Sequence, residues 1–273
     1  MKLSFTTLAC PNWDLDQILA AAKQYGYDAI DFRHYKGSTA LATLPEFTTG
    51  LSDTAKKIAA AGIRVSGISS GIHVFNADAA KREQAVNEAI ACVRIAAGLG
   101  APLVRVFGGK LGPTPRPEAL KLGGATLRAM AAAAAREGIV IALETHDDWV
   151  RGAEVMGILH AANAGASAGV LWDVLNSFQD ANEPPEVTLH QIKGHLVGTH
   201  WKDSSTLHPA PTQYCLPGHG RAPLRKIHEL IRANGYDGYY TFEWEKAWHP
   251  ELAEADIALP EFVKTMRAIE AGK

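Results

Sequence analysis

Cysteine is scarce in this chain. Cys10, Cys92 and Cys215 are three in 273 residues, an odd number at unrelated spacings, so neither a disulfide framework nor a CxxC metal pair is available. Long apolar runs are missing too. No segment reaches the roughly 18 residues that a membrane span requires. Charge of one sign does not accumulate: Lys plus Arg number 27 against 29 Asp plus Glu, with no run of like charge, which argues against a polyanion such as nucleic acid as partner. No GxGxxG follows the first strand-like segment, where the chain reads "ACPNW", and no GxxxxGK[ST] occurs anywhere. Pro/Ser-rich linkers and low-complexity tracts are also lacking, so one domain over residues 1–273 is expected.

What is present is a hydrophobic content of 47%, ample for a core. The opening "MKLSFTTLAC" is interrupted by Ser4, Thr6 and Thr7 and reads as a first strand, not a signal peptide; with the sparse cysteines this points to the cytoplasm. Eight β-type runs recur at intervals of roughly thirty to forty residues, the length of a βα unit. They are "KLSFTT", "YDAIDFR", "IRVSGIS", "PLVRVFG", "IVIALE", "AGVLWDV", "LVGTHWK" and "GYYTFEW". Helix-type stretches lie between them. "DLDQILAAAKQYG" carries Asp14 as a cap and closes on Gly26, and "AKREQAVNEAIACVRIAAGLG" has Gly98 and Gly100 as stop signals. Eight such units, without a nucleotide-binding turn, predict a single (β/α)8 TIM barrel of the α/β class.

In that architecture chemistry gathers at the C-terminal ends of the strands. The fifth strand ends at Glu144, the sixth at Asp173, the seventh at His200 and the eighth at Glu243. Three carboxylates converging with an imidazole would repel by several kcal/mol unless a cation or protons relieved them. One divalent metal ion is the simplest relief, and oxygen-rich ligation with a single nitrogen suits Mn²⁺, Mg²⁺ or Co²⁺ and tolerates Zn²⁺. Each residue also has a plainer reading. Glu144 could pair with Lys202 or Arg105, Asp173 could cap the following helix, His200 could be a hydrogen-bonded core histidine, and Glu245 shares a strand face with Glu243. Their joint placement at four consecutive strand ends favours the metal.

Further candidates would contact a substrate. His73 and His146 could orient a hydroxyl or support a ligand. Lys202 could polarise a carbonyl oxygen, or instead bridge to Asp203 or Glu245. Asp31, Arg33 and Arg105 are charges on otherwise buried strands, for which ion pairs within the barrel are the plainer role. Trp172, Trp201 and Trp244 each adjoin a proposed ligand, so alternation turns them outward to pack on helices. Trp13, Trp149 and Trp248 fall in loops, where an aromatic face could stack on a sugar or close a contact in a homo-oligomer. The longest connection, "DSSTLHPAPTQYCLPGHGRAP", is a candidate binding loop, and Gly218, Gly220 and Arg221 there could hold a phosphate.

The succession "LETHDDW", "LWDVLNS", "GTHWKDS" and "LPGHGRAPLRKIHELIRANGYDGYYTFEWEKAWHP" resembles the xylose isomerase-like TIM barrels, in the branch of sugar (phosphate) isomerases and epimerases that includes ketose 3-epimerases, inosose dehydratases and the endonuclease IV type. The resemblance implies a metal held by Glu144, Asp173, His200 and Glu243, with the two glutamates doubling as acid and base on a carbohydrate. Two departures stand out: Asn176, among the substrate-contact candidates, replaces the histidine usual three residues after the metal Asp, and Gly218-His219-Gly220 replaces Gly-Glu-Gly. Asn176 and Phe107 also stand where the endonuclease branch needs further histidines, so DNA repair is not expected. Three activities then compete: epimerisation or isomerisation by proton transfer next to a carbonyl, expulsion of a β-hydroxyl by a lyase of the inosose dehydratase type, and sugar binding without catalysis.

Overall fold

The structure, a computed structural model, describes residues 1–272. Eight parallel strands close into a barrel: β1 (Lys2–Thr6), β2 (Ala29–Phe32), β3 (Arg64–His73), β4 (Leu103–Phe107), β5 (Val140–Glu144), β6 (Ala168–Asp173), β7 (Leu196–Trp201) and β10 (Tyr239–Phe242), with β10 closing on β1. The remaining strands, β8 (Asp203–Ser204) and β9 (Tyr214–Cys215), pair antiparallel in the loop after β7. Helices α1 (Leu15–Tyr25), α2 (Leu51–Ala60), α3 (Ala79–Leu99), α4 (Arg116–Ala135), α5 (Gly152–Ala162), α6 (Val174–Gln179), α7 (Pro185–Ile192), α8 (Leu224–Ala233) and α9 (Ala255–Glu270) follow the strands in turn. Among the described residues no helix is long and apolar enough to cross a membrane.

Local chemistry sets the helix limits. The Asp14 side chain accepts from the Gln17 N–H while the Gln17 side chain accepts from the Asp14 N–H, and α1 stops at Gly26 with φ of 80°. Only one of the two glycines expected to end α3 does so. Gly100 takes the left-handed cap at φ 70°, whereas Gly98 lies inside the helix against Leu51, where a Cβ would come 2.5 Å from Leu51 Cδ2. Gly98 therefore serves helix packing.

Strand alternation divides the core in two. Outward residues such as Leu3, Phe5, Val104, Leu143, Val170 and Phe242 pack against the helices. Trp172, Trp201 and Trp244 are buried there, each donating its indole N–H: to Ser177 Oγ, Thr199 Oγ1 and the Ala253 carbonyl. Trp149, placed by its sequence position in a loop facing a pocket or a partner, is instead fully buried and donates to the Gly109 carbonyl at 2.7 Å. Absence of a side chain at Gly108 is what admits this indole, because a Cβ there would lie 2.2 Å from Trp149 Cδ1. Inside the barrel, Leu103, Ala142 and Leu171 form an apolar plug. Two residues further along the same strands the inward side chains are Arg105, Glu144 and Asp173. The plug seats the charged cluster at the C-terminal rim.

Candidate metal centre

Register brings the cluster together. Asp173 of β6 pairs with His200 of β7, His200 pairs with Thr241 of β10, and Phe107 of β4 pairs with Glu144 of β5. Glu144, Asp173 and His200 are fully buried and Glu243 is 6% exposed. One potential ligand atom from each of these four lies within 4.8 Å of all the others. His200 Nδ1 is 3.0 Å from Glu144 Oε1 and 3.2 Å from Glu243 Oε1.

Asp173 resolves its two sequence readings by using both oxygens. Oδ1 caps α6, accepting from the N–H groups of Leu175 and Asn176 at 3.0 and 2.8 Å. Oδ2 turns into the cluster, 3.1 Å from Lys202 Nζ. Thr145 ties the ends of β5 and β6 by accepting from the Asp173 N–H at 2.9 Å.

Two cations floor this site. Arg105 places Nη1 3.1 Å from Glu144 Oε2 and Nη2 3.9 Å from Glu243 Oε1, with its guanidinium 3.9 Å from the centroid of Phe107. Lys202 is held by Asp173, by Glu243 Oε2 at 2.8 Å and by Glu245 Oε1 at 2.7 Å. Of the partners expected for Lys202, Glu245 is therefore one and Asp203 is not. Asp31 and Arg33, each expected in an ion pair within the barrel, form none among the described residues, whereas Arg105 does.

The charges show what the site lacks. Four carboxylates (Glu144, Asp173, Glu243, Glu245) meet two permanent cations (Arg105, Lys202), leaving two negative charges when His200 is neutral and one when it is protonated. Burial disfavours the Glu144 and Glu243 carboxylates, yet Arg105 brings Glu144 below its usual range, and Lys202 with His200 holds Glu243 far below. For Asp173 burial wins over Lys202 and pushes the carboxyl up to about 7. Burial would depress His200, but Glu243 and Glu144 push it up to about 10, so without another cation the imidazole carries a proton. Glu144 Oε2 and Asp173 Oδ2 are sealed from solvent with no hydrogen bond of acceptable geometry. A dication fits: it would balance the excess charge, let His200 be neutral and engage these oxygens.

The other candidates ring the mouth. His73 is half-exposed and stacks on Phe107, whose other neighbour is His146 at 4.4 Å between centroids. Asp147, at φ 52°, places Oδ2 3.2 Å from His146 Nδ1 and 3.8 Å from His73 Nε2. Asn176 donates to the Thr145 carbonyl at 3.2 Å, which commits its amide to the backbone. Trp248 is 47% exposed, near His34 and Arg33, while Trp13 lines a cavity of about 500 Å³ with His34 and Lys246. Phe107 and Tyr214 join the site in addition to the contacts expected from the sequence. Phe107 was accessible through alternation from Leu103 and Arg105, whereas Tyr214, which donates to Glu245 at 2.9 Å, arrives on a loop that no periodicity places.

That loop also corrects the phosphate reading. Gly218 and Gly220 N–H donate to Asp203 Oδ2 at 2.9 and 3.0 Å, and Ser204 and Ala222 N–H donate to Oδ1 at 2.8 and 3.0 Å. The backbone donors of Gly218 and Gly220 that could hold a phosphate are thus occupied by the chain's own carboxylate.

Residues 19–265 match the family model described as xylose isomerase-like TIM barrel. The chain belongs to this family. Solved structures share the xylose isomerase-like fold across almost their whole length. The IolI protein with a bound zinc atom superposes at a TM-score of 0.83 with 19% identity, covering 100% of this chain and 99% of that one. L-Ribulose 3-epimerase gives 0.80 and 17%, covering 100% and 94%. The probable 3-DHS dehydratase AsbF of Bacillus anthracis gives 0.80 and 15%, covering 98% and 99%. At these identities the likeness is one of fold. No curated protein matches the chain in sequence.

Proposed function

We propose that this xylose isomerase-like barrel is a divalent-metal-dependent isomerase or epimerase that moves a proton next to the carbonyl of a sugar or keto-sugar. The observation that carries the reading is the convergence of Glu144, Asp173, His200 and Glu243 within 4.8 Å, in a site two negative charges in excess when His200 is neutral. These four residues would hold the ion; Mn²⁺, Mg²⁺ or Co²⁺ suits their oxygen-rich set, and Zn²⁺ is tolerated. When bound, the ion supplies a Lewis acid that polarises a substrate carbonyl.

The chain's own groups do the rest. Glu144 and Glu243 come from strands separated by β6 and β7, and nearby cations keep both ionised, ready to accept a proton at a carboxylate oxygen. One glutamate takes the proton next to the carbonyl. The other, which first takes up a proton from solvent, returns it, to the opposite face for an epimer or to the adjacent carbon for an isomer. Lys202, buried and tied to three carboxylates, fixes Asp173 and Glu243 instead of reaching freely toward substrate. His73, His146 and Trp248 offer polar and aromatic surfaces at the rim for orienting hydroxyl groups, and the fully buried Arg105 positions Glu144.

The test is a ketose and inosose panel incubated in D₂O with the Mn²⁺-loaded protein. Deuterium is expected at the carbon beside the carbonyl, with Glu144→Gln and Glu243→Gln each lowering kcat by about 10²–10⁴-fold. Growth of an enone absorbance with loss of water would establish the dehydratase reading instead. No turnover across the panel, with ligand binding intact in Glu144→Gln, would leave a sugar-binding barrel.

A further inference from the structure

Arg33 has a guanidinium with no hydrogen-bonding or ion-pair partner among the described residues. It follows β2 directly, on the opposite side of the barrel from β6. Its backbone N–H donates to Thr7 Oγ1 at 3.0 Å, but its guanidinium enters no hydrogen bond or ion pair among the described residues, and Nη1 is sealed from solvent and unsatisfied. Gly71 of β3 lies beside it, where a Cβ would meet both Nη1 and Nη2 at 3.6 Å, an ordinary contact. The ring of Trp248 lies 5.8 Å from the guanidinium carbon, and His34, whose Nδ1 is also buried and unsatisfied, meets the same indole edge-on.

A guanidinium nitrogen sealed from water without a partner is costly, and the neighbourhood adds to that cost. Burial, and after it the positive charge of Arg105, bring Arg33 down to about 10. Glu243, Glu144 and Asp31 attract it from a distance, none within ion-pair reach. An arrangement of this kind is relieved by an anion arriving from outside. A guanidinium presents a planar fork that matches a carboxylate through two parallel N–H···O bonds. A phosphate dianion calls for a wider set of donors, and the glycine-loop N–H groups that would provide them already serve Asp203.

We infer that Arg33, beside Trp248 and His34, is a carboxylate-binding subsite, and that the substrate is an acidic sugar carrying its carboxylate away from the carbon at which the proton moves. This rests on the metal-dependent reading above and narrows it from carbohydrates in general to sugar acids.

The experiment uses the full chain loaded with Mn²⁺ and matched probes differing in one group: D-fructose against D-fructuronate and D-tagatose against D-tagaturonate, with D-fructose 6-phosphate as the phosphate arm. Titration calorimetry is expected to show the uronates binding at least about tenfold tighter than the neutral ketoses. Arg33→Gln should abolish that preference while leaving Mn²⁺ affinity unchanged, and Arg33→Lys should retain part of it. Because the guanidinium is unpaired in the free protein, Arg33→Gln should also raise Tm, by about 1–3 °C. Equal binding of neutral and acidic ketoses, tighter binding of the phosphate, or an Arg33→Gln protein that melts lower or fails to fold would each overturn the inference. Failure to bind Mn²⁺ at all would instead remove the metal-dependent reading beneath it.

Discussion

Single residues divide their atoms between fold and site. Asp173 caps α6 with one oxygen and offers the other to the cluster, so the capping and ligand roles that compete in the sequence coexist in the molecule. Trp149 belongs to the short turn Asp147–Trp149, whose first residue links His146 and His73. The position of that turn depends on Gly108, where a Cβ would fall 2.2 Å from the indole. Gly108→Ala should therefore destabilise the protein by roughly 1–3 kcal/mol, because a fully buried ring has no free space to move into. Urea unfolding would measure the loss. An unchanged midpoint would mean that Trp149 can yield after all.

At the scale of elements, the segment leaving β7 sends His200 and Lys202 inward to the cluster, while Asp203 turns to the glycine loop. Four backbone N–H groups close on the Asp203 carboxylate, from Ser204, Gly218, Gly220 and Ala222. A Cβ at Gly220 would come 2.1 Å from Asp203 Oδ1, so the backbone approaches as closely as it does only because no side chain intervenes. Asp203→Ala strips these donors of their acceptor and should cost about 2–4 kcal/mol, with faster amide hydrogen exchange confined to residues 218–222. Asp203→Asn keeps an acceptor oxygen and should cost less. Exchange rates that do not change in the alanine variant would show that the carboxylate does not hold the loop.

For the whole molecule, the four proposed ligands come from β5, β6, β7 and β10, which are neighbours around the barrel. An ion shared among them would bind half of the wall into one unit and relieve its charge excess. Mn²⁺ at a hundredfold above its Kd should then add about 2.7 kcal/mol of stability, raising Tm by about 5 °C in a protein of this size. A chelator should reverse the shift, followed by calorimetry or circular dichroism. A Tm indifferent to Mn²⁺, Mg²⁺, Co²⁺ and Zn²⁺ alike would contradict a metal centre in this barrel.

Read alone, the sequence determined the eight staves, the capping of α1 by Asp14 and Gly26, and the four strand ends from which the cluster is built, since local propensity and two-residue alternation are written into neighbouring residues. Only the tertiary structure decided which charges meet. Arg33 and Asp31 lie two residues apart at the end of β2 yet form no ion pair, Lys202 chooses Glu245 over the adjacent Asp203, Trp149 leaves its loop for the core, and an internal carboxylate fills the apparent phosphate loop. Each of these outcomes depends on where residues distant in the chain arrive after the barrel closes, and periodicity within a strand carries no information about that distance.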